Sequence, residues 1–325
     1  MKRISVLLSV LLCAALLGAG EKPVNFVPAT NDPIVGDYAG DSGPVAQIAQ
    51  IPGKGYQATL LKAFDTEDKP IAVMAGDTSK NNVTFSGDGW SGTIAGHDFI
   101  VNKEDQRLDL KHVDRPSPTL GAAPPAGAVV LFDGKNLDAW ATKAGKDWLT
   151  EAGPAKWKLV DGGAVEVVPG TDCLISHQKF GDCHVHVEFR NLGSPTNSGV
   201  FLETRYEVNI NETYGKTEGT PNAGLDNCTE NSPPKIRASR PPLAWQTLDI
   251  DFHAPKFDAS GAKTEPARAT VLLNGVRVYQ DQKLDQPHGA ASRLGEAPTG
   301  PLMLQEHGMP VQFRNIWVVE TKPAT

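Results

Sequence analysis

The stretch "CHVHVEFR", residues 183–190, indicates the fold of the larger part of the chain. Val185, Val187 and Phe189 alternate with polar residues, and successive side chains of a β-strand point to opposite faces of its sheet. One face of this strand therefore belongs to an apolar core. The other face carries four polar side chains, His184, His186, Glu188 and Arg190. Such a face is either the solvated side of a β-sandwich or part of a groove in which Glu and Arg bind sugar hydroxyls.

The same alternation recurs in short runs from Val129 to the C-terminal end of the chain. Examples are "SGVFLETRYEVNI" (198–210), "AWQTLDIDFHA" (244–254) and "VQFRNIWVVE" (311–320). Eight or more such strands are present, and no long segment repeats its apolar residues with the helical period. The pattern predicts an all-β fold, with a jelly-roll β-sandwich over residues 129–320.

Residues 34–114 form a second region of short alternating runs, which turn residues separate about every ten positions. This spacing predicts a small antiparallel β domain whose consecutive strands are neighbours in a meander. The stretch "RPSPTLGAAPPAGA" (115–128) is rich in Pro, Ala and Gly, and we interpret it as the linker between two domains. Residues 21–33 are interpreted as a mobile linker that precedes the first domain.

Residues 1–20 have the three parts of a secretory signal peptide. They are the basic "MKR", the apolar "ISVLLSVLLCAALL" and the small-residue "GAG". Leu12, which precedes Cys13, is too bulky for a lipoprotein cleavage site, so cleavage and export are favoured over lipid anchoring. We therefore expect a periplasmic or extracellular protein without a membrane span.

The charge of the chain narrows the classes of binding partner, and its cysteine content limits the number of disulfides. The formal net charge is −7 and the chain has no basic cluster, which argues against nucleic acid and anionic membrane surfaces as partners. Three cysteines remain after processing, so an oxidising compartment permits one disulfide among Cys173, Cys183 and Cys228. The sequence does not choose the pair.

Further strands also carry polar side chains on one face. In "RYEVNI" (205–210) that face consists of Arg205, Glu207 and Asn209. In "WQTLDIDFH" (245–253) it consists of Thr247, Asp249, Asp251 and His253, and we interpret this set as a solvated outer face. His307 ends the strand "PLMLQEHG" (301–308) just before a glycine, where functional sites are often built, although a lone histidine is weak evidence.

Six stretches together resemble the 3-keto-disaccharide hydrolase family, also described as 3-keto-glucoside lyase or 3-keto-2-hydroxy-glucal hydratase. In chain order they are "LFDGKNLDAW" (131–140), "KFGDCHVHVEFR" (179–190), "NSGVFLETRYEVNI" (197–210), "RPPLAWQTLDIDFHAPKFD" (240–258), "LNGV" (273–276) and "GPLMLQEHGMPVQFRNIW" (300–317). The resemblance covers about residues 129–320 and leaves the first domain outside. It implies a concanavalin A-like jelly roll that acts on carbohydrate.

The resemblance also implies a reaction. A partner oxidoreductase first converts the 3-hydroxyl of a glycoside to a ketone, which acidifies the C2 proton. A base can then remove this proton, the aglycone leaves C1 by β-elimination, and water can add to the resulting glucal. A divalent metal ion would suit this chemistry, because it stabilises the developing enolate oxygen.

Site residues follow from the resemblance as expectations. The catalytic set is His307, Glu188 and Glu207, and the same three are the candidate metal ligands. The substrate-binding set is Arg190, Asn197, Arg205, Asn209, Gln305 and Arg314. Arg314 has a second interpretation, in which it locks the last strand through an ion pair. The strands of "VEFR", "RYEVN", "LQEHG" and "FRNIW" are expected to form one polar groove.

Two departures from the family pattern bear on specificity. Family members often have Gln-Asp-His-Gly where this chain has Gln305-Glu306-His307-Gly308, and often Gln where Asn209 stands. Two other functions stay open: a carbohydrate-binding protein without activity, and a conventional glycoside hydrolase with two carboxylates.

Overall fold

The structure is a computed structural model that describes residues 26–78, 82–217, 222–225, 236–287 and 289–321. The expected signal peptide (1–20) and Cys228 lie outside these residues. Nearly all regular elements are β-strands, and a 3-10 helix spans Gly289–Leu294. In the described ranges, no helix has the length and hydropathy needed to cross a membrane.

The first strand and the eight that follow it form the N-terminal part. They are β1 (Val27–Pro28), β2 (Gly36–Ala39), β3 (Val45–Ile51), β4 (Gly55–Leu61), β5 (Ala72–Asp77), β6 (Thr84–Gly87), β7 (Trp90–Ala95), β8 (Asp98–Lys103) and β9 (Gln106–Val113). From β2 to β9 each strand pairs with the next, as in a meander, and β2 also pairs with β9. The small β domain is therefore a closed barrel, around apolar side chains such as Tyr38, Ile48, Leu60, Met74 and Phe99.

The C-terminal part is a sandwich of two antiparallel sheets. The eight-stranded sheet contains β10 (Val129–Phe132), β13 (Lys158–Val160), β14 (Ala164–Glu166), β16 (Cys183–Asn191), β20 (Gln246–His253), β23 (Ala267–Leu273), β24 (Val276–Leu284) and β26 (Val311–Glu320). The six-stranded sheet contains β11 (Trp140–Ala144), β12 (Asp147–Pro154), β15 (Leu174–Phe180), β18 (Asn197–Leu202), β19 (Tyr206–Asn211) and β25 (Gly300–Leu304). Short pairings add β17 (Gly193–Ser194), which pairs with β1, and β21 (Lys256–Phe257) with β22 (Lys263–Glu265). The predicted all-β jelly-roll fold is confirmed.

One apolar core lies between the two sheets. The eight-stranded sheet contributes Val185, Val187 and Phe189, as their alternation predicts, and the six-stranded sheet contributes residues such as Val208 and Leu302. Because successive residues of a strand face opposite ways, each sheet also has an outer face that points away from this core. The sequence-predicted site residues are divided between these two outer faces.

Charged side chains bind the barrel to the jelly roll. Arg115 Nε donates to Asp37 Oδ2 at 2.7 Å and Arg115 Nη1 to Asp65 Oδ2 at 2.7 Å. From the jelly roll, the Tyr214 hydroxyl donates to Asp37 Oδ1 at 2.7 Å, and Arg240 Nη1 lies 3.3 Å from Asp65 Oδ1. Three of these side chains are at most 5% exposed, so the barrel is fixed by buried hydrogen bonds as well as by apolar contact.

The two segments interpreted as linkers are both packed on the jelly roll. Pro28 of β1 faces Gly193 of β17, and Ala29 N donates to Leu192 O at 2.8 Å. The expectation of a mobile segment over 21–33 is therefore wrong for its described part. The 115–128 segment does connect the two domains, but its first half lies against the outer face of the eight-stranded sheet.

Cys173 and Cys183 are both buried free thiols. They lie on different sides of the six-stranded sheet, with Cys173 in the outer apolar cluster and Cys183 in the main core. Burial raises the pKa of Cys173 to about 11 and that of Cys183 to about 12. A disulfide between these two is not formed, and any pairing with Cys228 falls outside the described residues.

Candidate functional site

The prediction of a single polar groove is wrong, because the strands expected to form it belong to different sheets. Strands β16 and β26, with Glu188, Arg190 and Arg314, lie in the eight-stranded sheet. Strands β18, β19 and β25 lie in the six-stranded sheet, with the main core between the two. Alternation along a strand separates core from outer face, but it does not say to which sheet the strand belongs.

Glu188 is fully buried under the 115–128 segment. Its Oε1 accepts hydrogen bonds from Gly121 N at 2.6 Å and Asn315 Nδ2 at 2.9 Å, and its Oε2 accepts one from Arg314 Nε at 2.6 Å. Burial by itself would raise the pKa of Glu188, but hydrogen bonds, led by His186, lower it to about 2. Glu188 is therefore a fixed carboxylate without access to substrate, which argues against the predicted catalytic and metal-binding roles.

A β-bulge brings the two donors from β26 together. The pairing of β16 with β26 shifts between His186 and Glu188, so that the longer β26 segment opposite contains both Arg314 and Asn315. Asn315 has φ of 43°, in the left-handed region that asparagine tolerates better than most residues. Arg314 thus locks the last strand through an ion pair, which is the second of its two predicted interpretations.

Hydroxyl groups of the 115–128 segment cover strand β20, which is the neighbour of β16. Thr119 Oγ1 donates to Asp249 Oδ2 at 2.6 Å, and Asp249 Oδ1 lies 2.6 Å from His186 Nδ1. Burial opposes a charged His186, but hydrogen bonds with Asp249 and Glu188 raise its pKa above the ordinary value. Thr247 and Asp249, which the sequence places on a solvated face, are buried, whereas Asp251 and His253 are exposed as expected.

Arg190 lies on the same outer face, away from Glu207. Its Nε donates to Gln312 Oε1 at 2.7 Å, and its guanidinium carbon is 4.7 Å from the centre of the Trp245 ring. The guanidinium of Arg314 is 4.1 Å from the same ring. Two of the three arginines predicted to bind substrate are therefore part of a cation–π cluster on the eight-stranded sheet.

The outer face of the six-stranded sheet brings the other predicted residues together. Phe201 is paired with Glu207, Gly199 with Asn209, and Asn197 with Asn211. Gln305 follows β25, and its backbone N donates to Gly199 O at 2.9 Å. Asn197, Glu207, Asn209 and Gln305 therefore occupy neighbouring positions on one face.

Gly199 makes room for the carboxylate of Glu207. A Cβ atom at position 199 would lie 2.6 Å from Glu207 Oε1, so this oxygen lies directly over the glycine. Glu207 is only 3% exposed. The absence of a side chain at residue 199 thus sets the position of a buried carboxylate next to Gln305.

Gln305 presents an unused acceptor at this place. Its backbone oxygen accepts a hydrogen bond from Ser198 Oγ at 2.8 Å, so the residue is held to β18 on both sides. Its side-chain Oε1 is buried and has no hydrogen-bond partner. Because buried polar atoms are rarely left without a partner, this oxygen is suited to a hydroxyl group of a ligand.

His307 lies two positions further on, in a turn that Glu306 shapes. Glu306 Oε1 accepts hydrogen bonds from Gly308 N at 2.6 Å and from Gly170 N at 3.2 Å. The longer arm of Glu306, one of the two departures from the family pattern, thus reaches the 168–172 turn. His307 itself is exposed and makes no hydrogen bond within the described part of the chain. It is therefore accessible for proton transfer.

Aromatic and charged residues that sequence analysis did not single out complete this face. Phe201 belongs to an outer apolar cluster against which Trp148 packs, edge to face with ring centres 5.7 Å apart. Beside it, a cleft of about 510 Å³ is lined by residues that include Lys143, Asp172 and Glu306. No motif marks Trp148 or Lys143, because their position depends on how β11 and β12 join the sheet edge.

Arg205 and Asn209 have structural contacts on this sheet. Arg205 is buried, and it donates from Nε to Gly295 O at 2.6 Å and from Nη1 to Glu203 O at 2.9 Å. Asn209 exchanges backbone hydrogen bonds of 2.8 Å with Ala223 and Gly224. Arg205 thus holds the loop after the 3-10 helix, while Asn209 holds residues 222–225 along the edge of β19.

The three predicted metal ligands are not brought together, because Glu188 lies on the other sheet from Glu207 and His307. Over the described ranges, no group of three or more His, Cys, Asp and Glu side chains is arranged to hold a metal ion. The predicted ligand set therefore does not fit a metal.

This polar face lies on a jelly-roll domain whose matching family model is of the carbohydrate-active class. The chain belongs to the family of the 3-keto-alpha-glucoside-1,2-lyase-like domain, whose model matches residues 127–319. The family predicted from the sequence is thereby confirmed for the jelly roll. A search among curated proteins gave no match.

One solved structure agrees with this assignment. A candidate glycosyl hydrolase from Parabacteroides distasonis ATCC 8503, solved at 2.13 Å, is 30% identical with a TM-score of 0.50. The match covers 61% of this chain and 85% of that one. A second candidate glycosyl hydrolase from the same organism, solved at 1.70 Å, is 17% identical with a TM-score of 0.40, over 60% of this chain and 94% of that one.

Proposed function

We propose that this protein cleaves 3-keto-glycosides by removing the C2 proton and eliminating the aglycone from C1. The observation that carries the proposal is the buried carboxylate of Glu207 over Gly199, beside the unpartnered Oε1 of Gln305. Both lie on one sheet face of a domain that belongs to the 3-keto-alpha-glucoside-1,2-lyase-like family. Of the three predicted catalytic residues, the proposal keeps Glu207 and His307 and leaves out Glu188.

The reaction divides between these two residues. The C3 ketone acidifies the C2 proton, and the Glu207 carboxylate accepts this proton while the C–H electrons form an enolate. The enolate then re-forms the ketone and a C1–C2 double bond, and the C1–oxygen bond breaks. The departing aglycone oxygen takes a proton from His307, which is accessible at the turn. Water can add to the resulting glucal in a later step.

Amide groups on the same face stabilise the sugar and the developing charge. The Gln305 and Asn197 side chains each offer N–H donors on this face, and such donors stabilise an enolate oxygen most strongly where water is excluded. The unpartnered oxygen of Gln305 accepts a hydrogen bond from a sugar hydroxyl. The partly exposed ring of Trp148, which packs against the buried Phe201, offers a surface for the C–H face of a sugar ring.

The substrate carries a ketone that ordinary glycosides lack. We therefore propose that the protein works after an oxidoreductase that oxidises the 3-hydroxyl of a glycoside, in the periplasm or outside the cell. Assistance by a divalent metal ion, which the resemblance implies, would need ligands other than the predicted set, and loss of turnover after dialysis against a chelator would support it.

The two proposed roles are tested by Glu207→Gln and His307→Ala. We expect each variant to lower kcat on a 3-keto-glucoside by roughly 10²–10⁴-fold, the usual contribution of a positioned acid or base. Glu265→Gln and His253→Ala are matched controls, because both residues are exposed and lie on other strands. Wild-type turnover by either test variant would contradict the role assigned to that residue.

The substrate specificity is tested with a 3-keto-glucoside and its unoxidised parent in parallel. Cleavage of the keto form alone, with loss of the C2 hydrogen to solvent, is the expected result. Cleavage of the parent would show conventional glycoside hydrolysis, which needs two carboxylates across the bond. Binding of either sugar without turnover would show a carbohydrate-binding protein without activity.

A further inference from the structure

A cavity of about 160 Å³ lies between the barrel and the jelly roll, next to the end of β19. The barrel and the segment before it supply an uncharged wall that includes Val35, Ile51 and Pro52. The jelly roll supplies the polar wall, with Ser194, Glu212 and Lys216. Among the described lining residues, Glu212 and Lys216 are the two that carry charge.

The ammonium group of Lys216 is held by uncharged oxygens in this cavity. Its Nζ donates to Glu212 O at 2.7 Å and to Ser194 Oγ at 3.1 Å, both uncharged oxygens. No carboxylate of the described residues lies within 4.0 Å of it. An ammonium group has three donors, so one hydrogen-bond position is left for a ligand. The nearest acidic group of the cavity lining is Glu212, which interacts with Lys216 electrostatically without forming an ion pair.

Glu212, in contrast, has both of its carboxyl oxygens occupied. Its Oε1 accepts a hydrogen bond from Tyr214 N at 2.9 Å, and its Oε2 accepts one from Asn191 Nδ2 at 3.3 Å. The side chain is 6% exposed, and burial raises its pKa to about 7. The polar wall therefore offers a ligand a cationic donor, whereas its acidic group is already satisfied from within the protein.

We propose that this cavity binds a small organic carboxylate, with the anion paired to Lys216 and the ligand body against the uncharged wall. Pairing with a carboxylate is the arrangement that a partly buried ammonium group otherwise lacks here. The volume of about 160 Å³ is sufficient for one small ring. This site is separate from the face that carries Glu207, and it does not depend on the reaction proposed above.

Calorimetric titration of the full chain with D-glucuronate and with D-glucose tests the proposal, because the two rings differ mainly in the carboxylate. We expect glucuronate to bind and glucose to bind at least about tenfold more weakly. Lys216→Met should weaken glucuronate binding by about tenfold or more, the usual effect of losing a charged hydrogen bond. Lys111→Met is the control, since Lys111 is exposed on the barrel and does not line the cavity. Equal binding of the two sugars, or unchanged binding by Lys216→Met, would overturn the proposal.

Two more variants separate this site from a loss of folding and from the catalytic face. Thr30→Trp places a bulky ring at the exposed rim of the cavity, so it should abolish glucuronate binding while turnover of a 3-keto-glucoside stays unchanged. Affinity should fall between pH 6 and pH 8 as Glu212 ionises beside the bound anion, and Glu212→Gln should remove this dependence. Full glucuronate affinity in Thr30→Trp, or a pH dependence that survives in Glu212→Gln, would contradict the assignment.

Discussion

At the scale of single residues, the candidate site depends most on Gly199, because this residue has no side chain. Gly199 leaves the space that Glu207 Oε1 occupies, 2.6 Å from where a Cβ atom would lie. The backbone N–H of the neighbouring Gln305 donates to the carbonyl oxygen of Gly199. Gly199 therefore helps to position both the Glu207 carboxylate and the Gln305 amide. A small change at residue 199 should therefore displace the proposed base without touching the sugar directly.

Gly199→Ala tests this arrangement. The added methyl group should push the Glu207 carboxylate aside and lower kcat on a 3-keto-glucoside by roughly 10- to 100-fold, because small misplacements of a catalytic group are costly. The thermal midpoint should change little, since the clash involves the end of a side chain that can move. Kinetics and a thermal melt of the same preparation measure both. Wild-type turnover would mean that the position of the carboxylate is not critical.

At the scale of structural elements, the 115–128 segment belongs to the jelly roll as much as it connects the domains. It supplies the backbone N–H of Gly121 to Glu188 and the hydroxyl of Thr119 to Asp249. These bonds cover polar groups that would otherwise face solvent on β16 and β20. The 115–128 segment thus covers part of the outer face of the eight-stranded sheet. The candidate site lies on the outer face of the six-stranded sheet.

Thr119→Val should destabilise the protein without changing its activity. The substitution keeps the side-chain volume but removes the donor to Asp249, which costs about 1–3 kcal/mol when the acceptor is buried. Urea unfolding measures this loss, and Thr264→Val on the exposed strand β22 is the control. Reduced kcat in Thr119→Val would show that the two outer faces are coupled, against the separation described above.

Alternation along a single strand correctly predicts which of its side chains enter the core. Val185, Val187 and Phe189 lie in the core as predicted, and Glu207 and Asn209 lie opposite the core residues Val208 and Ile210 of their strand. Alternation fails where partners come from distant parts of the chain. Strand order places Glu188 on a different sheet from Glu207. No local pattern in "RPSPTLGAAPPAGA" shows that its hydroxyl and backbone groups bind the two buried carboxylates of Asp249 and Glu188.

At the scale of the whole molecule, one buried acid should make stability depend on pH. Glu203 is 3% exposed, neither of its carboxyl oxygens has a hydrogen-bond partner, and burial raises its pKa to about 8. The folded state therefore keeps a proton on Glu203 that the unfolded state, with a pKa near 4.5, has lost. Its contribution to stability is complete below about pH 4.5 and is lost as pH rises towards 8.

Urea unfolding of wild type and Glu203→Gln between pH 5 and pH 9 tests this. We expect the free energy of unfolding of wild type to fall as pH rises, by up to about 1.4 kcal/mol per pH unit. The Gln variant has no proton to lose, so its profile should be flatter over the same interval. Parallel profiles for the two proteins would show that Glu203 does not titrate in this range.

The attachment of both ends of the barrel has a consequence for chain topology. On its N-terminal side, β1 pairs with β17 of the jelly roll, and on its C-terminal side Gly121 and Thr119 are bound to β16 and β20. The barrel is thus equivalent to an insertion between two segments that both belong to the sandwich. A deletion that starts at the N-terminus and ends before residue 115 removes β1 together with the barrel. Connecting residue 33 to residue 115 through a short spacer would remove the barrel alone and keep both attachments.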